Sequence, residues 1–467
     1  MFFRISVVAT ALLLSGINAN AQDVEVFTLG SGETVNATRH AIIAPIDYGN
    51  SGDGEIALDV VVLNGAGDNI PTLFLAGGPG ESAINNAQQY LGPVFAELLS
   101  TGDIILADQR GTGGSGAVAP CFSDEPPTPS YVSDTRFYAQ MITAMIRDCQ
   151  AQWAASGIDP NTWNNSSSVA DIEQILDTLG FERVNILAFS YGTSLAQRVL
   201  DELGDRIERV VLVSASDTHA LKSPRDTDAF FQRLDEALLE AGATSEPLSA
   251  IMRRVHDRLN AAPVWIEMDQ GEQPYTLTIS GQDVQLLASF MTSDPSSARF
   301  LADLYRQVDD GDLSQLAPMI AQFRASPIPI MPMTLATQAA TGAPAAIEAL
   351  YLAEAEGSVL GQTMHFPVSD AFTVDDFRRE MNVEADTFSP LTAPYPHATL
   401  LLSGSLDGRT TLETQRRVGQ DFSNIQQVVV VNGGHNILSS SEEAVARIVD
   451  FLENGSTYDA QIALPFP

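Results

Sequence analysis

Lysine is almost missing from this chain. Lys222 is the only one among 24 basic residues, which face 59 acidic residues and leave a formal net charge of −35. A surface this acidic repels phosphate backbones and anionic lipid, which argues against nucleic acid and membranes as partners. Cysteine is scarce as well. Cys121 and Cys149 are the two present, and without nearby histidines they make no metal ligand set. An even count permits a disulfide, and one pair is the simplest reading, with two separate buried thiols as the alternative. A bridge would close a loop of about 29 residues and stabilise the fold by roughly 3–4 kcal/mol.

Long apolar runs are missing too. The one stretch of note, residues 5–17, follows Arg4, precedes the A-x-A pattern Ala19-Asn20-Ala21, and is short for a bilayer span. Residues 1–21 are therefore expected to be a signal peptide, with the mature protein exported to a periplasmic or secreted location and no stable membrane insertion.

What is present points to a packed α/β protein. Hydrophobic residues make up 45% and charged residues 18% of the chain, enough for a sizeable core. Residues 40–46 and 56–63 are β-rich runs joined by a Gly/Asn/Asp turn, as in a hairpin. "PTLFLAGGPG", "GDIILADQRG", "RVNILAFS" and "RVVLVSAS" read as buried strands, with helical patterns between them. That alternation implies a mostly parallel sheet flanked by helices. From 217 to 396 helical patterns dominate, interrupted by the β-like "YTLTISG"; then "ATLLLSGSLDG" and "QQVVVVNGGH" resume the α/β rhythm. The expected division is a first core part at 22–216, a mostly helical insertion at 217–396 and a second core part at 397–467.

Ser190 follows the strand "VNILAF" and precedes a helix, in the pattern A-x-S-x-G. A sharp strand-to-helix turn lifts a serine hydroxyl clear of the sheet, and the glycines around it relieve crowding between strand and helix. Here Ala188 stands where the first glycine would be, and Gly192 keeps the second position. A serine needs a base to take its proton and an acid to orient that base, and the fold sets their order as Ser, acid, His. His435 lies just past the last strand, in a glycine-rich loop expected to leave its ring free to swing over the sheet. Asp407 ends the preceding strand at the carboxyl edge, where ligands bind in open α/β sheets. His256 and His397 read as structural or solvated, while His219 and His365 lie near the insertion boundary and are placed to line a cleft. Backbone N–H groups of Gly78 and Tyr191 are the expected oxyanion donors. No G-K-[ST] or G-x-G-x-x-G accompanies the "LAGGPGESA" loop, so a phosphate cradle is not expected.

Together, Gly77-Gly-Pro-Gly80, Asp108-Gln-Arg-Gly-Thr-Gly113, Phe189-Ser-Tyr-Gly-Thr193, Asp407 and the "GGH" at His435 resemble the prolyl and tripeptidyl aminopeptidase group of α/β-hydrolases. The cysteine pair and "APIDYGNSGDGEIALDVVV" are similar to its secreted, tripeptidyl-type branch. The resemblance implies an α/β-hydrolase fold with a helical cap, catalysis by Ser190, Asp407 and His435 without metal or organic cofactor, and cap carboxylates that bind a substrate's free amine. Glu81, Glu236, Glu240, Glu348 and Glu354 are the candidates for that last role, and Asp108 and Arg110 are expected to pair beneath the site. Two departures stand out: Ala188, and the Gly-Arg-Thr-Thr that follows Asp407 in place of a proline-containing turn. Both bear on specificity more than on activity. The expectation is an aminopeptidase acting on a peptide or small ester, with a carboxylesterase or an inactive binding module as alternatives.

Overall fold

Side-chain alternation decides how the central strands stack their neighbours. In β4 (Thr72–Leu75) and β6 (Val184–Phe189) every residue is buried, as a parallel strand covered on both faces requires. Leu73, Leu75, Ile186 and Ala188 join one apolar cluster, whereas Phe74, Leu187 and Phe189 join the cluster on the opposite face. The computed structural model describes residues 23–467 apart from 51, 53, 68, 122–130, 270–273, 326–330, 387–392 and 457–458. The expected signal peptide at 1–21 lies outside the described residues.

The other strands of this sheet are β1 (Asp23–Thr28), β2 (Thr34–Pro45), β3 (Glu55–Leu63), β5 (Ile104–Ala107), β7 (Ile207–Val213), β10 (Ala398–Gly404), β11 (Ile425–Val431) and β12 (Ala460–Ala463). Their spatial order is β1-β2-β3-β5-β4-β6-β7-β10-β11-β12. Pairings from β1 to β5 are antiparallel, and from β5 through β12 every pairing is parallel. The hairpin read at 40–63 is the β2–β3 pair. The edge strands β1 and β12 were not legible, being short and only partly buried.

Between β7 and β10 the chain builds a mostly helical segment with its own core around Phe231, Met252, Leu304 and Tyr305. A two-stranded hairpin, β8 (Val264–Met268) with β9 (Tyr275–Ile279), is its only β-structure among the described residues beyond isolated bridges. The sequence reading found β9 and missed β8. Helix starts here follow side-chain caps: Ser223 accepts from Asp226 N ahead of Pro224–Glu240, and Ser280 with Asp283 forms a capping box. Leu406, at the end of β10, packs into this core and joins the segment to the sheet. Cys121 and Cys149 are joined in a disulfide that ties the loop after β5 to the helix Thr135–Ala155.

Candidate active site

Ser190 sits between β6 and the helix Tyr191–Leu203 with φ 54° and ψ −121°, a conformation that costs a non-glycine residue energy. The surroundings over-determine it. Its N–H donates to Val213 O at 3.0 Å, and its carbonyl accepts from Thr193 N at 2.9 Å, Thr193 Oγ1 at 2.6 Å and Ser216 Oγ at 3.2 Å. A Cβ on Gly192 would stand 2.1 Å from Leu75 O, so glycine is required where helix meets strand. Ala188 is fully buried beside Leu75, its register partner in β4, and its methyl fills that face of the core. The Ser190 hydroxyl does not cap the helix behind it. It faces His435 Nε2 at 3.0 Å instead.

The other ring nitrogen, Nδ1, lies 2.9 Å from Asp407 Oδ2. Asp407 is fully buried, and every contact it makes suits an anion. Oδ1 accepts from the N–H groups of Arg409 and Thr410, each at 2.8 Å. Oδ2 accepts from Thr410 Oγ1 at 2.7 Å and Gln415 Nε2 at 3.2 Å besides the imidazole. Burial alone would raise this carboxyl's pKa, but the charge and hydrogen bond of His435 and those of Thr410 outweigh it and hold it below its ordinary value. Thr410 and Gln415 gave no signal in the sequence. Their role comes from where the turn after β10 folds.

His435 is held more firmly than its glycine-rich loop suggested. Its N–H donates to Ser293 O at 2.7 Å, and its carbonyl accepts from Ser214 Oγ at 2.8 Å. The glycines there serve close packing rather than swing: a Cβ on Gly434 would meet Asp294 Oδ1 at 2.2 Å, and one on Gly404 would meet Gly434 O at 2.2 Å.

Gly78 (φ 107°) and Tyr191 both line the cleft that opens over Ser190, a cavity of about 360 Å³. Thr334, from the helix Pro332–Thr341, donates to Pro79 O at 2.8 Å and pins the glycine loop from above. Asp108 and Arg110 do not pair with each other, which corrects the sequence expectation. Asp108 accepts from Ser82 Oγ, Ile84 N and Gly114 N, clamping the loop after β4 to the loop after β5. Arg110 forms a buried two-point pair with Asp171 at 2.6 Å and donates to the carbonyls of Pro45, Ile46 and Thr162.

Of the five candidate glutamates, Glu81 alone lines the cleft, where it accepts from Asn86 Nδ2 and Tyr90 OH, each at 3.1 Å. The others fall elsewhere: Glu236 and Glu240 project into solvent, Glu348 accepts from Val374 N, and Glu354 pairs with Arg225. Among the histidines, His219 lines the cleft near Asp217, while His365 donates to Lys222 O and His256 is buried against Tyr305 OH. His397 hydrogen-bonds Gly204 O.

Comparison with known proteins matches two segments of this architecture. Residues 71–266 fit a family model described as alpha/beta hydrolase fold, and residues 381–462 fit one described as TAP-like protein. The chain is 26% identical over 187 residues to the serine protease Hip1 of Mycobacterium tuberculosis and, equally, of Mycobacterium bovis. That stretch covers 38% of this chain, and the chain spans 36% of those relatives' length. A thermophilic esterase from Thermogutta terrifontis overlays 90% of this chain and 99% of its own at 15% identity, with a TM-score of 0.39. Among the described residues, no helix is long and apolar enough to cross a membrane. From the sheet order and the two family matches, the chain has the α/β-hydrolase fold, and its C-terminal segment is similar to the TAP-like family.

Proposed function

We propose that the chain is an exported serine hydrolase that cleaves peptide bonds near a free N-terminus through an acyl-enzyme. The observation that carries this reading is the unbroken line Asp407 Oδ2–His435–Ser190 Oγ, with separations of 2.9 and 3.0 Å. Ser190 Oγ attacks the scissile carbonyl as its proton passes to His435 Nε2. Asp407 keeps the Nδ1 proton in place and stabilises the imidazolium, and its other hydrogen bonds fix its orientation. The oxyanion is received by the N–H groups of Gly78 and Tyr191, the latter opening a helix whose first N–H groups have no intrahelical acceptor. His435 then returns the proton to the leaving amine. Water, activated by the same imidazole, next hydrolyses the acyl-enzyme. Glu81 is the carboxylate at hand for a substrate ammonium, already oriented by Asn86 and Tyr90. The disulfide supports export, since such bonds persist in oxidising compartments.

Ser190→Ala should abolish both turnover and labelling by a fluorophosphonate probe. Labelling that survives in this variant would overturn the assignment of the nucleophile. N-acetylating a peptide substrate should abolish its cleavage, and equal cleavage of both forms would overturn the requirement for a free N-terminus, whereas turnover of p-nitrophenyl esters with no peptide cleavage would point to an esterase-type site.

A further inference from the structure

The one lysine of the chain lies at this site. Lys222, on the connection from β7 into the helix Pro224–Glu240, lines the cleft together with Arg409, two residues past Asp407. Both are half-buried. Among the described residues, neither the ammonium nor the guanidinium makes a hydrogen bond or ion pair. In a protein with 59 carboxylates, two basic groups side by side whose opposing charge is the buried Asp407, with no ion pair of their own among the described residues, are conspicuous.

Asp407 pairs directly with neither side chain. Its two oxygens already take hydrogen bonds from Arg409 N, Thr410 N, Thr410 Oγ1, Gln415 Nε2 and His435 Nδ1. Asp217, on the same wall, is taken by Arg417 at 2.8 Å, and Glu81 is held by Asn86 and Tyr90. Burial, then the charge of Arg409, pushes the Lys222 amine well below its usual range, with Asp407 opposing. Burial likewise lowers Arg409, again with the charge of Asp407 opposing. An arrangement that works against its own charges in the free protein is relieved when an anion arrives. The surroundings favour an anion there: three helices, Tyr191–Leu203, Pro224–Glu240 and Leu412–Gly419, each turn first-turn residues (Tyr191, Thr227, Thr414) to this cleft, so their positive ends converge.

We infer that Lys222 and Arg409 form a subsite for a carboxylate of the substrate. This rests on the serine-hydrolase reading and narrows it to substrates that carry a negative charge close to the scissile bond. In a peptide that charge is either the C-terminal carboxylate of a short substrate or an acidic side chain. The protein's overall field repels anions, so a local pair of cations is what admits one.

The test uses matched substrates that differ only in charge. Short free-amine peptides are compared as C-terminal acid against amide, and with Glu against Gln. A p-nitrophenyl monoester of succinic acid is compared with its methyl-capped form. The wild-type protein should show kcat/KM at least about tenfold higher for the charged member of one peptide pair, as a charge-assisted hydrogen bond implies, and that pair identifies the source. Lys222→Met and Arg409→Met should each shrink the preference severalfold, whereas Lys222→Arg and Arg409→Lys keep most of it. Equal turnover within every pair, or an unchanged preference in both Met variants, overturns the proposal. Binding of succinate but not succinamide to the wild-type protein, read by calorimetry, requires no catalysis and no folded variant; equal binding of the two also overturns it. Fluorophosphonate labelling of the wild-type protein involves no carboxylate, so failure of the nucleophile assignment is read separately.

Discussion

The two walls of the cleft are built by different rules. On the sheet side, Ser190, Asp407 and His435 stand one to four residues beyond β6, β10 and β11, and backbone constraints set their positions. A positive φ at Ser190 and backbone contacts at Gly192, Gly404 and Gly434 leave no room for alternatives. On the other wall, Lys222, Ser293 and Gln338 come from separate pieces of the helical segment, and no shared backbone rule places them. The chemistry common to the fold sits on strand ends. Much of the remaining lining of the cleft comes from the segment inserted between them.

The largest expected effect falls on the sheet side. Asp407→Asn keeps the shape of the side chain but favours the wrong imidazole tautomer, and kcat should fall by about 10⁴-fold. Steady-state kinetics checks this, and a loss below tenfold would show that the backbone, rather than Asp407, orients His435.

On the helical side the corresponding test concerns stability. His256 and His365 are each only 3% exposed, and burial pushes their pKa values down to about 3 and about 4. In the unfolded chain they take up protons near pH 6.5, whereas the folded protein does not. The unfolded state therefore binds more protons as pH falls from about 6.5 toward the folded values, and stability is lost across that window. The slope is up to ~1.4 kcal/mol per pH unit for each histidine. His256→Gln should flatten it between pH 6.5 and 4, as read from urea midpoints. An identical slope in this variant would remove His256 from the account.

The smallest effects contrast two neighbours of Ser190. Gly192→Ala forces a methyl against Leu75 O and should cost about 1–3 kcal/mol together with most of the activity. Ala188→Gly removes a methyl from a buried strand and should cost within about 1 kcal/mol, leaving the enzyme active. Denaturation midpoints and turnover of the two variants, measured side by side, would sharpen how tightly the elbow is held.

The same division explains what could be read from the sequence. Buried parallel strands announce themselves as continuous apolar runs, and the residues just past them are candidates for chemistry. On that basis Ser190, Asp407, His435, Gly78 and Tyr191 were identifiable as a group; four of them line one cleft, with Asp407 buried behind His435. Partners set by tertiary packing carried no such mark. Thr410 was one of several threonines in a turn, and Arg110 was assigned to Asp108, two positions away, whereas its partner Asp171 lies 61 positions along the chain. Four of the five glutamates sat on helices of the right segment but do not line the cleft. The helical period alone does not say which helix covers the cleft.

The lone lysine has a practical consequence as well. A chain with one such residue carries one side-chain amine of that kind, so lysine enriched in ¹³C or ¹⁵N introduces a single side-chain signal. Its chemical shift would follow occupancy of the cleft over Ser190 directly, free of overlap, in a 467-residue protein with no engineered label.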